Sequence, residues 1–122
     1  MGTFSVRCKI QNHTDRSKSV TLAKLLVDTG SELTWIPLKD LETIGVKPEK
    51  KDIAFVMANG QRITRSVGFA ILLVENQFTI DEVVFAEEGD LSLLGARTLE
   101  GLNFRIDPAK KKLVASGPLP AA

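Results

Sequence analysis

Leu25-Leu26-Val27-Asp28-Thr29-Gly30-Ser31 is the stretch on which the reading of this chain turns. Three consecutive apolar residues suit a strand running through a core, and they lead straight into a short acid, a hydroxyl, a glycine and a second hydroxyl. Glycine lets the backbone turn sharply because no Cβ stands in the way. A carboxylate is thereby held at the mouth of a rigid strand, with hydroxyls on either side that can hydrogen-bond a carboxylate or each other. Asp28 is read on these grounds as a catalytic group. The same residues also describe an ordinary turn in which an aspartate caps its own backbone, so the assignment depends on what surrounds them.

Two further segments bear on it. Met57-Ala58-Asn59-Gly60-Gln61 carries Asn-Gly between extended arms, the strongest short-range hairpin signal. Leu93-Leu94-Gly95-Ala96-Arg97-Thr98-Leu99 is a pair of bulky apolar residues, a glycine and the start of a short helix. Taken in order with Asp28-Thr29-Gly30-Ser31-Glu32-Leu33-Thr34-Trp35-Ile36-Pro37, they resemble the aspartic proteases, whose pepsin-like and retropepsin-like members share such an active-site segment, a mobile hairpin called the flap and an apolar-Gly element. The resemblance covers roughly residues 20 to 106. Leu94 to Leu102, followed by Asp107-Pro108 and Leu113-Val114, is similar to small retropepsin-like proteins of prokaryotes. Arg97 stands one position later than the helix arginine of many retroviral relatives.

The resemblance implies an all-β fold, a closed or partly open β-barrel of the retropepsin type with one or two short helices. It also implies a flap at about residues 53 to 67. Asp28, Thr29 and Gly30 would be the catalytic residues. Ser31 would orient the outer carboxylate oxygen, Thr29 hydroxyls would interlock across a two-fold axis, and Gly30 would let two loops approach. Because the chain carries one Asp-Thr-Gly where pepsin-like enzymes carry two such motifs, an active enzyme is expected to be a homodimer with one Asp28 from each subunit. Its substrate would be a peptide or unfolded protein lying extended between the acids and the flaps, touched by Ser31, Leu33, Val56, Met57, Ala58, Asn59, Gly60 and Leu94. Gly60 is assigned to the flap tip. The chain contains no Tyr, so help from the flap is expected to come from its main chain. Water is the nucleophile, and no metal or organic cofactor is expected.

Composition narrows the rest. With 122 residues and 43% hydrophobic content the chain suffices for one core, read as one domain over residues 1 to 122 with a loose tail at 116 to 122. A net charge of +1 gives no concentrated basic face for nucleic acid or an anionic membrane, and Lys110-Lys111-Lys112 reads as a solvated turn. No stretch approaches the ~20 apolar residues of a spanning helix, and the N-terminus alternates polar and apolar without a signal-peptide core, so a cytoplasmic location is expected. The single cysteine, Cys8, is expected as a buried thiol, and one His with one Cys argues against structural zinc, which needs four N or S ligands.

Phe4, Val6, Cys8 and Ile10 alternate with polar residues as a first strand, and Asn12 to Ser17 form a polar turn with an exposed His13. Ser19 to Val27 deliver Asp28, Thr34 to Pro37 form a short strand, and Leu38, Leu41 and Ile44 mark a short helix stopped by Gly45. Ile53 to Ala58 and Arg62 to Val67 flank the hairpin turn, Gly68 to Glu75 continues as an apolar strand, Phe78 to Ala86 returns after a turn at Asn76-Gln77, and Glu87 to Asp90 make a polar loop. Leu91 to Leu94 are expected to enter the core. Ala96 to Glu100 are helical, and Asn103 to Asp107 and Lys112 to Ala115 are two last strands. The second reading of the whole is a peptide-binding or scaffolding dimer with the same fold and little turnover. A third is a self-processing domain cut from a longer precursor.

Overall fold

Side chains of successive strand residues point to opposite faces, so a strand with one buried face must alternate. In the computed structural model, which describes residues 3–121, β1 (Ser5–Gln11) does so: Cys8 and Ile10 are sealed while Ser5, Arg7 and Lys9 are exposed. The chain continues through β2 (Ser19–Val27), β3 (Thr34–Pro37), α1 (Leu38–Thr43), β4 (Lys50–Val56), β5 (Arg62–Val74), β6 (Gln77–Ala86), β7 (Leu93–Leu94), α2 (Ala96–Gly101), β8 (Phe104–Asp107) and β9 (Lys112–Ala115).

The order β1-β2-β7-β3-β6-β5 returns to β1 through the pairing of Lys9, Ile10 and Gln11 with Leu73, Leu72 and Ile71, closing a six-strand hydrogen-bonded circuit. The all-β barrel with two short helices is thus the observed architecture. Its sheet is mixed, since β2 runs parallel to β7 and β3 parallel to β6. β8 and β9 form a separate two-stranded sheet.

The hairpin arm from Arg62 and the apolar strand that continues from Gly68 form one strand, β5, of 13 residues with two duties. From Val67 to Val74 it pairs with β6 inside the barrel, whereas from Arg62 to Arg65 it pairs only with β4. The β4–β5 hairpin therefore projects from the barrel as a continuation of one of its staves. Its turn is tied by Met57 N–H to the Gln61 carbonyl and by Gly60 N–H to the Met57 carbonyl, both at 2.8 Å. Gly60 has φ +85°, the left-handed conformation that closes a three-residue hairpin loop. Asn59 caps it from the side, its Oδ1 accepting from Gln61 N–H at 2.9 Å.

Two apolar clusters result. The larger fills the barrel, with Ile10, Leu25, Ile36, Leu72, Phe85 and Leu94 among its buried members. Burial there pushes the Cys8 thiol up to about 12, so this free cysteine stays protonated. The smaller, Leu33, Trp35, Val67, Val84, Ala86 and Leu93, lies on the outer face and is covered by Ile53, Phe55 and Ile63 of the hairpin. Trp35 meets Phe55 edge-to-face with ring centroids 5.1 Å apart, and that contact fastens the hairpin to the barrel. Leu91, expected in the core, is 67% exposed. Residues 116–121 have no regular structure, though Ser116 N–H and the Gly117 carbonyl bond to Asn103. Among the described residues no helix is long and apolar enough to cross a membrane.

Candidate active site

β2 ends one residue before Asp28, and its last two residues lie in parallel register with Leu93 and Leu94. The ladder runs on into the acid: Asp28 N–H donates to the Leu94 carbonyl at 3.0 Å, which fixes the Cα of Asp28 to the barrel. Its Oδ1 accepts from Gly30 N–H at 2.9 Å, and its carbonyl accepts from Ser31 N–H at 3.3 Å. The self-capping turn and the presented carboxylate are therefore the same geometry. Oδ2 has no hydrogen-bond partner among the described residues, leaving one oxygen open for chemistry.

The loop after Asp28 is held from behind by α2. The first amides of a helix have no acceptor within it. Here Ala96 N–H donates to the Ser31 carbonyl at 2.8 Å and Arg97 N–H to the Glu32 carbonyl at 3.1 Å. Gly95 brings the two backbones together, and a Cβ built on it would lie 2.3 Å from the Leu33 carbonyl oxygen. A buried relay completes the brace. Gly95 N–H donates to Thr34 Oγ1 at 2.9 Å, Thr34 and Thr98 hydroxyls are 2.6 Å apart, and Thr98 donates to Asp81 Oδ2 at 2.9 Å. Thr98 spends its one proton on Asp81, so the Thr34 hydroxyl donates to Thr98 while accepting from Gly95. Arg97 is turned away, its Nη1 3.1 Å from Glu82. Lys50 first, with Arg97, holds the Glu82 carboxyl below its ordinary range.

Asp28 opens onto a cleft of about 510 Å³, a volume of the class that receives ligands. Its lining comes from the acid loop, the hairpin residues Phe55 to Ala58, the loop residues Gly89 to Leu91, and Trp35 and Leu93 of the barrel. Of the residues singled out in the sequence, Ser31, Leu33, Val56, Met57 and Ala58 line it beside Asp28 and Gly30. Thr29 is exposed next to the acid, and Asn59 and Gly60 sit at the hairpin turn outside the lining.

Two expectations are corrected. Leu94 has no exposed surface and packs in the barrel core, so it cannot touch a substrate. Strand alternation turns its neighbour Leu93 toward the cleft instead. Ser31 Oγ donates to the Leu33 carbonyl at 2.9 Å, and the carboxylate contact expected of it is made by Gly30 N–H. Trp35 could have been added from the sequence, because it stands two residues after Leu33 and shares its face. Nothing local marks Asp90 or Leu91.

Asp90 is bound to the hairpin arm. Arg65 Nε lies 2.7 Å from its Oδ2 and Nη2 2.9 Å from its Oδ1, and Glu87 N–H also donates to Oδ2 at 2.8 Å. These bonds, the Arg65 pair first, hold the Asp90 carboxyl below the ordinary aspartate range.

Comparison with known proteins agrees with this geometry. No curated protein matches the chain. The family model described as aspartyl protease matches residues 13–98, a span that begins in the β1–β2 turn and ends in α2 and so contains Asp28, the hairpin and the apolar-Gly element. With well over half of its length matched and an all-β barrel presenting that acid at an open cleft, the chain belongs to the retropepsin-like aspartyl protease family.

Proposed function

We propose that the protein is a homodimeric aspartic endopeptidase that hydrolyses peptide bonds by water activated between two Asp28 carboxylates. The observation that carries this reading is the single, rigidly placed Asp28 with one oxygen free at the mouth of a cleft beside a projecting hairpin. The chemistry needs two carboxyl groups about one water: an ionised one takes its proton, and a protonated one polarises the scissile carbonyl. Each chain brings one. Two like charges ~3 Å apart cannot both ionise, so they share a proton and titrate as a pair, which makes an acid and a base from identical residues.

In the dimer Thr29 of each subunit meets its counterpart across the axis, consistent with its exposure beside the acid. The hairpin from Ile53 to Val67 acts as the flap, with Gly60 at its tip, and closes on an extended peptide. The exposed Val56 and half-exposed Met57 offer apolar contact to substrate side chains, while free backbone groups of the hairpin pair with its main chain.

The test couples mass to activity. Sedimentation is expected to give about twice the 13.3 kDa of one chain, with cleavage of a reduced, unfolded substrate favoured at acid pH and blocked by a statine-type analogue. Specific activity should fall on dilution as the dimer dissociates. A particle that stays monomeric and still hydrolyses peptides would overturn the proposal. A dimer that binds peptides with no turnover would favour the scaffolding reading.

A further inference from the structure

The loop Glu87 to Leu91 and the β4–β5 hairpin are far apart in sequence, yet both line the cleft beside Asp28. Arg65 joins them through charged contacts, the closest of them to Asp90. Arg65 belongs to the part of β5 that has left the barrel and pairs only with β4, opposite Ile53. Its guanidinium grips Asp90 through two bonds, and the side chains of the pair are only 15% and 10% exposed. Within the loop Asp90 N–H donates to the Glu87 carbonyl at 2.9 Å and Glu87 N–H returns to Asp90 Oδ2, so the carboxylate is the centre of the turn as well as its anchor. Glu87 adds a longer contact to Arg65 at 3.8 Å. Leu91, the next residue, is left exposed at the cleft edge by this arrangement.

We propose that Arg65 and Asp90 are a positioning pair that makes the hairpin and the Gly89–Leu91 loop move as one body, so that closure of the hairpin carries Leu91 against a substrate side chain. This inference rests on the peptidase reading of the cleft. A bidentate guanidinium–carboxylate pair fixes orientation as well as distance, which a lysine or a neutral residue does not reproduce. Neither residue reaches the reacting atoms. Their effect is on how the substrate is held, and hence on which side chains are accepted.

The pair also suits acid conditions. A carboxyl with a depressed folded value contributes stability that is complete above its unfolded value and is lost progressively as pH falls from there through the lower folded one, while the pair itself stays ionised to a lower pH than a free aspartate would. The groups facing Asp90 are Arg65 and the neighbouring Glu87, and Arg65 itself remains charged throughout.

The experiment uses full-length Arg65→Met, Arg65→Lys and Asp90→Asn. A peptide cleaved by the wild type is varied at one position at a time among Ala, Leu and Phe. Arg65→Met and Asp90→Asn are each expected to raise KM roughly tenfold with kcat changed less than about twofold, and to flatten the preference among the three side chains at one position. Arg65→Lys should recover part of that preference. The double variant should be no worse than either single one, as for partners in one interaction. Amide exchange of residues 87 to 91 is read alongside and should accelerate while the melting temperature stays within a few degrees. Unchanged exchange together with unchanged selectivity would overturn the inference, as would an equal fall in kcat at every peptide. If the wild type cleaves nothing, the peptidase reading fails and this one is decided by the exchange data alone. Where one variant does not fold, the remaining ones decide, with Arg65→Lys expected to show the same changes to a smaller degree.

Discussion

Asp28→Asn is expected to lower hydrolysis by about a thousandfold or more while leaving the fold intact. The substitution is close to isosteric, and its amide oxygen can still accept from Gly30 N–H at the position Oδ1 now holds. The backbone bond from residue 28 to the Leu94 carbonyl is untouched. In the proposed dimer, what is lost is the ability to ionise and to share a proton with the opposite subunit, and both copies lose it together. A melting curve close to that of the wild type, combined with absent cleavage of an unfolded substrate, is the predicted outcome. Peptide binding should survive, because the cleft walls are unaltered. Retention of turnover would remove Asp28 from the chemistry.

Gly95→Ala is expected to have the largest effect on stability of any single methyl addition. The new Cβ would fall 2.3 Å from the Leu33 carbonyl oxygen, 2.6 Å from its carbon and 3.0 Å from the Glu32 carbonyl oxygen. All three are backbone atoms, so no rotamer change relieves the clash. Moving the loop back would strain the Gly95–Thr34 bond and the bonds from Ala96 and Arg97 to the acid loop. Overpacking plus two or three weakened hydrogen bonds, that of Gly95 to Thr34 buried, comes to roughly 4 kcal/mol, a large share of the stability of a domain of this size. Urea unfolding should show the midpoint falling steeply. Activity in any folded fraction should also fall, since the same loop carries Asp28. A midpoint within ordinary error of the wild type would mean that the close approach of the two backbones is not a requirement.

Much of the barrel was legible because its strands are short, alternating and bounded by clear turns. Thr34 to Pro37 and Lys112 to Ala115 appear with the expected bounds, and Gly45 and Gly101 stand where the two helices stop. The run of β5 from the polar arm Arg62 to Ser66 into the apolar stretch Gly68 to Val74 is legible, but that the first part pairs only with β4 and the second with β6 is settled by the partners alone. Closure through β1 was not legible, since pairing of residues 9–11 with 71–73 leaves no local mark.

At the site, Asp28 and most of the hairpin contacts could be read from the motif order. The exchange of Leu94 for Leu93 could not, because a two-residue strand has too few positions to declare its face, and only the register with Val27 settles it. In the sequence Asp90 is one acid in a polar loop. Its importance comes from an arginine 25 residues away, and two oppositely charged residues at that separation are unremarkable until the fold places them together.

In the proposed enzyme one active centre takes one Asp28 from each of two chains. Wild-type and Asp28→Asn subunits, mixed in known ratio and allowed to exchange, test it directly. If both acids are needed, mixed dimers are silent and activity follows the square of the wild-type fraction, about a quarter of the full value at equal mixture. Activity that falls in simple proportion, to about a half at the same point, would rule out a shared centre, because each chain would then be working with its own acid alone.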